Sequence, residues 1–340
     1  MKVRARSDLF HFLLTTVEPI IRRTFSQMDR AAVQEEIAQL VERDPELFLR
    51  RYVADPRSLE GRYVNSDLMK ETFPVYAQSP QARSYFNAVV HNAAAVLASE
   101  QFRRAIRNDS DPVRDTVIFL TGVPGAGKTT AVLSAGEAPS NVRVIYEGQL
   151  SNPEPALPKM AQALDAKLHV QIVAVHIQPE RALLNTLRRF EAEGRGATLE
   201  AIASIQGRLP DGLQVIQRQF GQAAQFHLID RRATLAIERR GWKHASELRS
   251  AGTYEHIREH LTRFLQREWE AGRISSAAYD QALGRAPERF HRSVAPESGG
   301  SFQRSEDPVS EGLVDEGEAK RRKRSGPESS NGPAFGFNPF

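Results

Sequence analysis

From residue 8 to about residue 50 apolar side chains recur at helical spacing, with Leu9, Phe12, Leu13, Val17, Ile20 and Ile21 followed by Val33, Ile37, Leu40 and Val41. A period near 3.6 residues predicts two amphipathic helices at the N-terminus. A short strand is expected at Arg62-Tyr63-Val64, running into the turn-forming Asn65-Ser66-Asp67. A helical turn closed by Pro74 follows, then one long helix from about Gln81 to Ile106. After the polar turn Asn108–Pro112 the pattern changes to an uninterrupted apolar run, Thr116–Leu120, the signature of a strand buried on both faces.

The alternation then continues. Strands are predicted at Val142–Tyr146, Val170–Ile177 and Phe226–Ile229, and helices at about Lys128–Gly136, Ala156–Ala166, Pro179–Phe190 and Thr198–Phe220. Strands alternating with helices imply a mostly parallel sheet covered on both faces. Helices resume between Ala233 and Leu283, where Trp242, Leu248, Ile257, Leu261, Leu265 and Trp269 supply a packing face. From Ala286 onward Ser, Gly, Pro and charge replace the aliphatic pattern, which predicts disorder. The expected organisation is a helical cap over 1–58, an α/β domain over 59–235, a helical extension over 236–285 and a disordered tail over 286–340.

Composition removes several function classes. The 340 residues contain no cysteine, so disulfides, thiolate metal sites and cysteine nucleophiles are excluded. A reducing, cytoplasmic setting is compatible with that. Lys plus Arg number 46 against 42 Asp plus Glu, a net charge of +4 too small to argue for nucleic acid as a partner. The apolar start is broken by His11, Thr15, Thr16 and Glu18, and no apolar run approaches the roughly 18 residues of a membrane span. Lys320–Arg324 form a short basic run, either a nuclear import or polyanion signal or a solvated cluster in a flexible tail.

The chemistry concentrates where the buried strand ends. Gly122-Val123-Pro124-Gly125-Ala126-Gly127-Lys128-Thr129 fits the phosphate-loop pattern G-x-x-x-x-G-K-[ST] without a mismatch, and Thr130 opens the following helix. Glycines there allow main-chain N–H groups to approach phosphate oxygens, and the helix start faces the negative charge. Lys128 is expected to neutralise the outer phosphates of ATP, and the Thr129 hydroxyl to ligate Mg²⁺. The fold class this implies is a P-loop NTPase-like sheet.

Other residues follow strand ends in the same way. Asp67 could take the proton of an acceptor hydroxyl, or serve as an ordinary helix N-cap. Glu147 could bind a metal through water or grip a substrate hydroxyl, or be a solvated loop carboxylate. Arg188, Arg189 and Arg195 flank the segment Glu191–Gly196 and could close over phosphates as a lid, or dress a helix end. Arg231 and Arg232, after the last strand, are candidates for a place beside a nucleotide base.

The stretches YVNSDLMKETFPVY, TGVPGAGKTT, RVIYEGQL, IQPERALLNTLRRFEAEGRGAT and RLPDGLQVIQRQFG, ending in FHLIDRR, together resemble the zeta toxin kinases over about residues 60–235. The resemblance implies a kinase that phosphorylates UDP-N-acetylglucosamine on the 3′-hydroxyl of its amino sugar and is held inactive by a helical antitoxin. It makes Asp67 the general base, Lys128 and Thr129 the phosphate and Mg²⁺ residues, Glu147 the substrate carboxylate, and Arg189 and Arg195 the phosphate-gripping arginines. One departure stands out: the Asp-bearing element precedes the phosphate loop here, whereas in the family it follows the loop's helix. The chain therefore looks circularly permuted. Asp67 is expected to reach the site if residues 62–65 pair beside the strand that feeds the loop.

Overall fold

The computed structural model describes residues 17–133, 136–233 and 235–285. Six strands form one sheet: β1 (Tyr63–Asn65), β2 (Thr116–Thr121), β3 (Val142–Glu147), β4 (His169–His176), β5 (Ala224–Asp230) and β6 (Ile237–Arg240), in spatial order β1-β3-β2-β4-β5-β6. All neighbours are parallel except β5 and β6. The helices are α1 (Met28–Arg43), α2 (Pro45–Ala54), α3 (Ser66–Met69), α4 (Pro74–Ala77), α5 (Pro80–Phe86), α6 (His91–Arg107), α7 (Lys128–Val132), α8 (Leu157–Asp165), α9 (Pro179–Glu193), α10 (Leu199–Phe220), α11 (Tyr254–Glu270) and α12 (Ser276–Ala282).

Strand side chains alternate between two apolar layers, because successive residues of an extended chain point to opposite faces. Ile118, Leu120, Ile145, Val173 and Val175 pack on one side with α1, α2, α5, α9, α11 and α12. Val117, Phe119, Val144, Ile172 and Ala174 pack on the other with Phe102 and Ile106 of α6, Met160 of α8 and the C-terminal half of α10. The expected parallel sheet with helices on both faces is therefore present. The N-terminal and C-terminal helices share one of its two cores. The region before residue 17 and the tail from residue 286, with its expected disorder and basic run, lie outside the described residues.

Several local expectations change. Val17, Ile20 and Ile21 were expected in a helix, yet residues 17–25 carry no helix. Pro19 interrupts the run, and the chain is instead tied laterally to α1. Ile20 N–H donates to Glu42 (3.1 Å), and the Gln34 amide both accepts from Arg23 N–H (2.8 Å) and donates to Arg23 C=O (2.8 Å). The long helix expected over 81–106 is two, α5 and α6, separated by a turn at residues 87–90 that delivers the Asn87 side chain to Lys70 (2.8 Å). The antiparallel edge strand β6 was expected as helix. It closes the sheet beyond β5, and its burial is slight, so no strong apolar pattern marked it. The helix after the glycine-rich loop stops at Val132, shorter than expected.

One pairing matters for the site. β1 does not lie beside β2; it pairs with β3, Tyr63 opposite Ile145 and Asn65 opposite Glu147. The free edge of this three-residue strand is sealed by Tyr52 of α2, whose hydroxyl donates to Tyr63 C=O (2.5 Å) and accepts from Asn65 N–H (3.0 Å). A fully buried tyrosine from the cap thus does the work of another strand.

Candidate functional site

The loops that follow β1, β2 and β3 all leave the sheet at its C-terminal edge, where parallel sheets place their ligand sites. There a cleft of about 610 Å³ is lined by Asp67, Lys128, Thr129, Glu147 and Arg189, together with Gly122, Pro124, Gly125 and Gly127. Residues spread over more than a hundred positions of sequence meet in it.

Why the loop needs its glycines is visible in its surroundings. Gly122, Gly125 and Gly127 all have positive φ (140°, 80° and 74°). An added Cβ would meet Val175 C=O at 2.5 Å, Ala182 C=O at 2.5 Å and the Arg231 guanidinium at 2.1 Å respectively. The backbone path is therefore open to glycine alone at these positions. Val123 and Ala126 are buried and anchor the loop in the core, Pro124 lines the cleft, and Thr130 is exposed in the first turn of α7.

Two residues brace the loop from outside. Asn185 of α9 donates to Gly125 C=O (2.9 Å), and Arg231 donates to Gly127 C=O (3.0 Å). Arg231, a candidate for the base-binding role, here contacts the loop's own main chain. Its neighbour Arg232 is held in an ion pair with Asp230 (2.8 Å).

Lys128 Nζ lies inside the loop, 3.0 Å from both Gly122 C=O and Val123 C=O and 3.3 Å from Glu147 Oε1. Lys128 and Glu147 are well screened from solvent, 11% and 18% exposed. Glu147 Oε2 accepts a hydrogen bond from the Tyr63 hydroxyl, and that hydroxyl lies 3.0 Å from Thr129 Oγ1. Burial, followed by the neighbouring Glu147 carboxylate, pushes the Tyr63 phenol well above its ordinary range. Tyr63 is therefore a neutral donor linking Thr129 to Glu147. Register explains this: β1 and β3 are adjacent, so a β1 side chain can touch the carboxylate that ends β3.

Asp67 is not the cap of its helix. Asn65 caps α3, accepting from Asp67 N–H (2.7 Å) and Leu68 N–H (3.1 Å), which leaves the Asp67 carboxylate for other work. It accepts from Lys70 Nζ at 2.7 Å, and Lys70, only 3% exposed, is also held by Asn87. Desolvation works to raise the Asp67 pKa, but the side chain keeps 54% of its surface exposed. Lys70, then Arg195 and Arg189, outweigh it and hold the carboxyl well below the usual range. A fully buried ammonium beside one carboxylate is expensive to bury unpaired, so the pair is mutually enforced.

The three arginines separate. Arg189 lines the cleft and is 3.4 Å from Glu193. Arg195 follows Gly194, whose positive φ of 73° ends α9 and turns the chain back. It lies 3.6 Å from Glu71 Oε1, in a neighbouring cavity that shares Asp67 and Arg189 with the cleft. Arg188 is exposed and lines neither cavity, so it does not join a lid.

Sequence reasoning passed over Tyr63, Lys70, His91, Lys159 and Asn185. His91 and Lys159 both line the cleft. Burial, then the nearby Lys70 ammonium, lowers His91 to about 4, so it is neutral at pH 7. Desolvation likewise lowers Lys159, whose ammonium lies 5.3 Å from the Tyr146 ring centre. Their only signal in the chain is position on a predicted helix, which does not say which way the helix faces.

Among the described residues no cluster of three or more His, Cys, Asp or Glu is placed to hold a metal. A Mg²⁺ ion at Thr129 would depend on phosphate and water oxygens, which suits its reluctance to dehydrate. No helix among the described residues is long and apolar enough to cross a membrane. No protein-family model matches the chain, and no curated protein matches it.

Proposed function

We propose that this chain is a kinase that moves the γ-phosphoryl group of ATP to a hydroxyl of a small molecule, with a nucleotide sugar such as UDP-N-acetylglucosamine as the first acceptor to test. The observation that carries the reading is the meeting of Lys128, Thr129, Glu147, Asp67 and Arg189 in one cleft at the end of a glycine-constrained loop. The same convergence supports the zeta toxin resemblance. The spatial order β1-β3-β2 puts the Asp-bearing and Glu-bearing strands side by side although the chain visits β2 between them.

The residues suit a triphosphate. Two of the three Lys128 donors are held by neutral carbonyls, which bind an ammonium more weakly than phosphate oxygens do. Lys128 would hold the outer phosphates, Thr129 the Mg²⁺, and Arg189 and Arg195 the charge that spreads over the transferring group. Magnesium would supply neutralisation of that charge. Asp67 takes the proton as the acceptor oxygen bonds to the γ-phosphorus and the bond to the bridging oxygen of ADP breaks. A carboxylate kept ionised by Lys70 is a weak base. Weakness is tolerable because a loose transition state has formed little bond to the acceptor before the proton must leave.

The test is incubation of the full chain with ATP, Mg²⁺ and either UDP-N-acetylglucosamine or a metabolite extract, followed by mass spectrometry. The expected product is an acceptor carrying one added phosphoryl group, formed by the parent and not by Lys128→Ala. Absence of magnesium-dependent affinity for ATP in the parent would overturn the kinase reading. Product from the extract without product from the nucleotide sugar would overturn the acceptor alone, leaving a kinase of another hydroxyl. A helical protein partner that blocks the reaction, as an antitoxin would, belongs to the same proposal.

A further inference from the structure

Beyond Asp67 the cleft opens into a second cavity of about 320 Å³, of which Asp67, Pro124 and Arg189 form the shared wall. A water molecule needs roughly a tenth of that volume, so there is room for a chemical group. Among the described residues four arginines line it, Arg30, Arg189, Arg195 and Arg285, and Asp67 is the single acidic residue beside them. Two of the four come from outside the region with the kinase resemblance: Arg30 from α1 and Arg285 from just after α12.

Arg30 is built for more than surface charge. Its guanidinium lies 4.9 Å from the centre of the Phe25 ring and 5.1 Å from that of Tyr85, so aromatic surfaces fix its plane. Among the described residues its Nε is buried with no hydrogen-bond partner. Gln281 also lines the cavity, its side chain close to Gly196. Among the described residues Arg195 makes only long contacts, 3.6 Å to Glu71 and 3.8 Å to Glu193, while Glu71 is gripped at 2.9 Å by Arg83. Arg285 is held in place by Asp280 at 2.8 Å.

Resting on the kinase reading for the chemistry at Asp67, we propose that this second cavity is an anion subsite for the acceptor. In it Arg30 and Arg285 hold a phosphate or diphosphate of the molecule whose hydroxyl is presented to Asp67. A planar fork stacked on aromatic rings suits a phosphate, which takes two parallel N–H donors. The acceptor is then a phosphorylated compound, and the N-terminal and C-terminal helices, rather than the sheet, select it.

The test separates this subsite from the nucleotide loop. Inorganic pyrophosphate is titrated by calorimetry into the Lys128→Ala chain, where the loop is disabled, and into the same chain carrying Arg30→Gln or Arg285→Gln. The expected result is binding to Lys128→Ala that weakens about tenfold or more with Arg30→Gln, the loss of one charge-assisted contact to an anion. A smaller loss is expected with Arg285→Gln, whose exposed position carries no risk to the fold. No binding to Lys128→Ala, or binding that neither substitution weakens, overturns the subsite. Failure of the parent to bind ATP would overturn the kinase reading alone, because the pyrophosphate titration is decided independently of it.

Discussion

The two ends of the sheet each carry a cavity, and the smaller is the one that holds the glycine-constrained loop. At the N-terminal ends of β2, β3, β4 and β5 an opening of about 820 Å³ is lined by residues such as Asp115, Asn141, His169, Gln225 and Trp242. Its floor is a packing feature: Trp242 stacks on Phe226 with ring centres 5.2 Å apart, and its indole N–H donates to Ala224 C=O at 2.8 Å. The cleft at the C-terminal ends is smaller, yet it holds the constrained glycine loop, a screened Lys–Glu pair and a carboxylate locked to a buried lysine. Volume distinguishes neither. Direction does, since in a parallel sheet every loop that leaves a strand's C-terminal end reaches the same edge and brings its side chains together.

That contrast can be attacked from either end. Lys128→Ala should have the largest effect, lowering ATP affinity roughly 100-fold or more by calorimetry, since a charge-assisted phosphate contact in a screened site is lost. Asp67→Asn should lower kcat by about 100-fold or more while ATP affinity changes little, because the proton acceptor goes but the loop stays. If both parameters fell together, Asp67 would belong to the loop's architecture rather than to the acceptor side. At the opposite end Trp242→Ala should destabilise the fold by roughly 2–4 kcal/mol in urea titration and leave ATP affinity unchanged, through lost ring packing and two unpaired carbonyls. A change in ATP affinity there would erase the distinction between the ends.

Two effects of acidity are smaller. Lys70→Met removes the cation that holds Asp67 ionised, so the acidic limb of kcat/KM should move to higher pH by about one unit or more. The parent should keep its activity further into acid than a free carboxylate would allow. Stability offers the companion measurement. Burial holds His176 and His91 at about 4, so between pH 6.5 and about 4 the unfolded chain binds more protons than the folded one. Unfolding free energy should therefore fall as pH drops through that window, on the order of 1 kcal/mol per unit for each histidine, and level off below it.

Much of this was legible along the chain. The runs Thr116–Leu120 and Val170–Ile177 are apolar enough to be read as strands, and they proved to be β2 and β4 at the centre of the sheet. Expectation failed where local pattern was weak or overruled. Ile20 and Ile21 follow a helical period, but Pro19 and the side-chain bonds from Gln34 and Glu42 hold that stretch extended. Ile237–Arg240 carries too little apolar alternation to be read as a strand, and pairing with β5 makes it one. Asp67 was visible as a residue of two opposed meanings, and only the bonds made by Asn65 removed the capping one.

Residue order alone settles where the glycines of the loop at 122–129 fall and which strands are apolar on both sides, whereas the main chain at Val175 and Ala182 that a Cβ at Gly122 or Gly125 would strike is brought there by packing. It does not settle who stands beside whom. The pairing of β1 with β3 rather than β2, the contact of Tyr63 with both Thr129 and Glu147, and the reach of Arg30 to the far side of Asp67 depend on distances across the sheet and between helices. Local rules of sterics and periodicity act over a few residues. The site is assembled from groups far apart in the chain, and only packing of the two apolar layers brings them within reach.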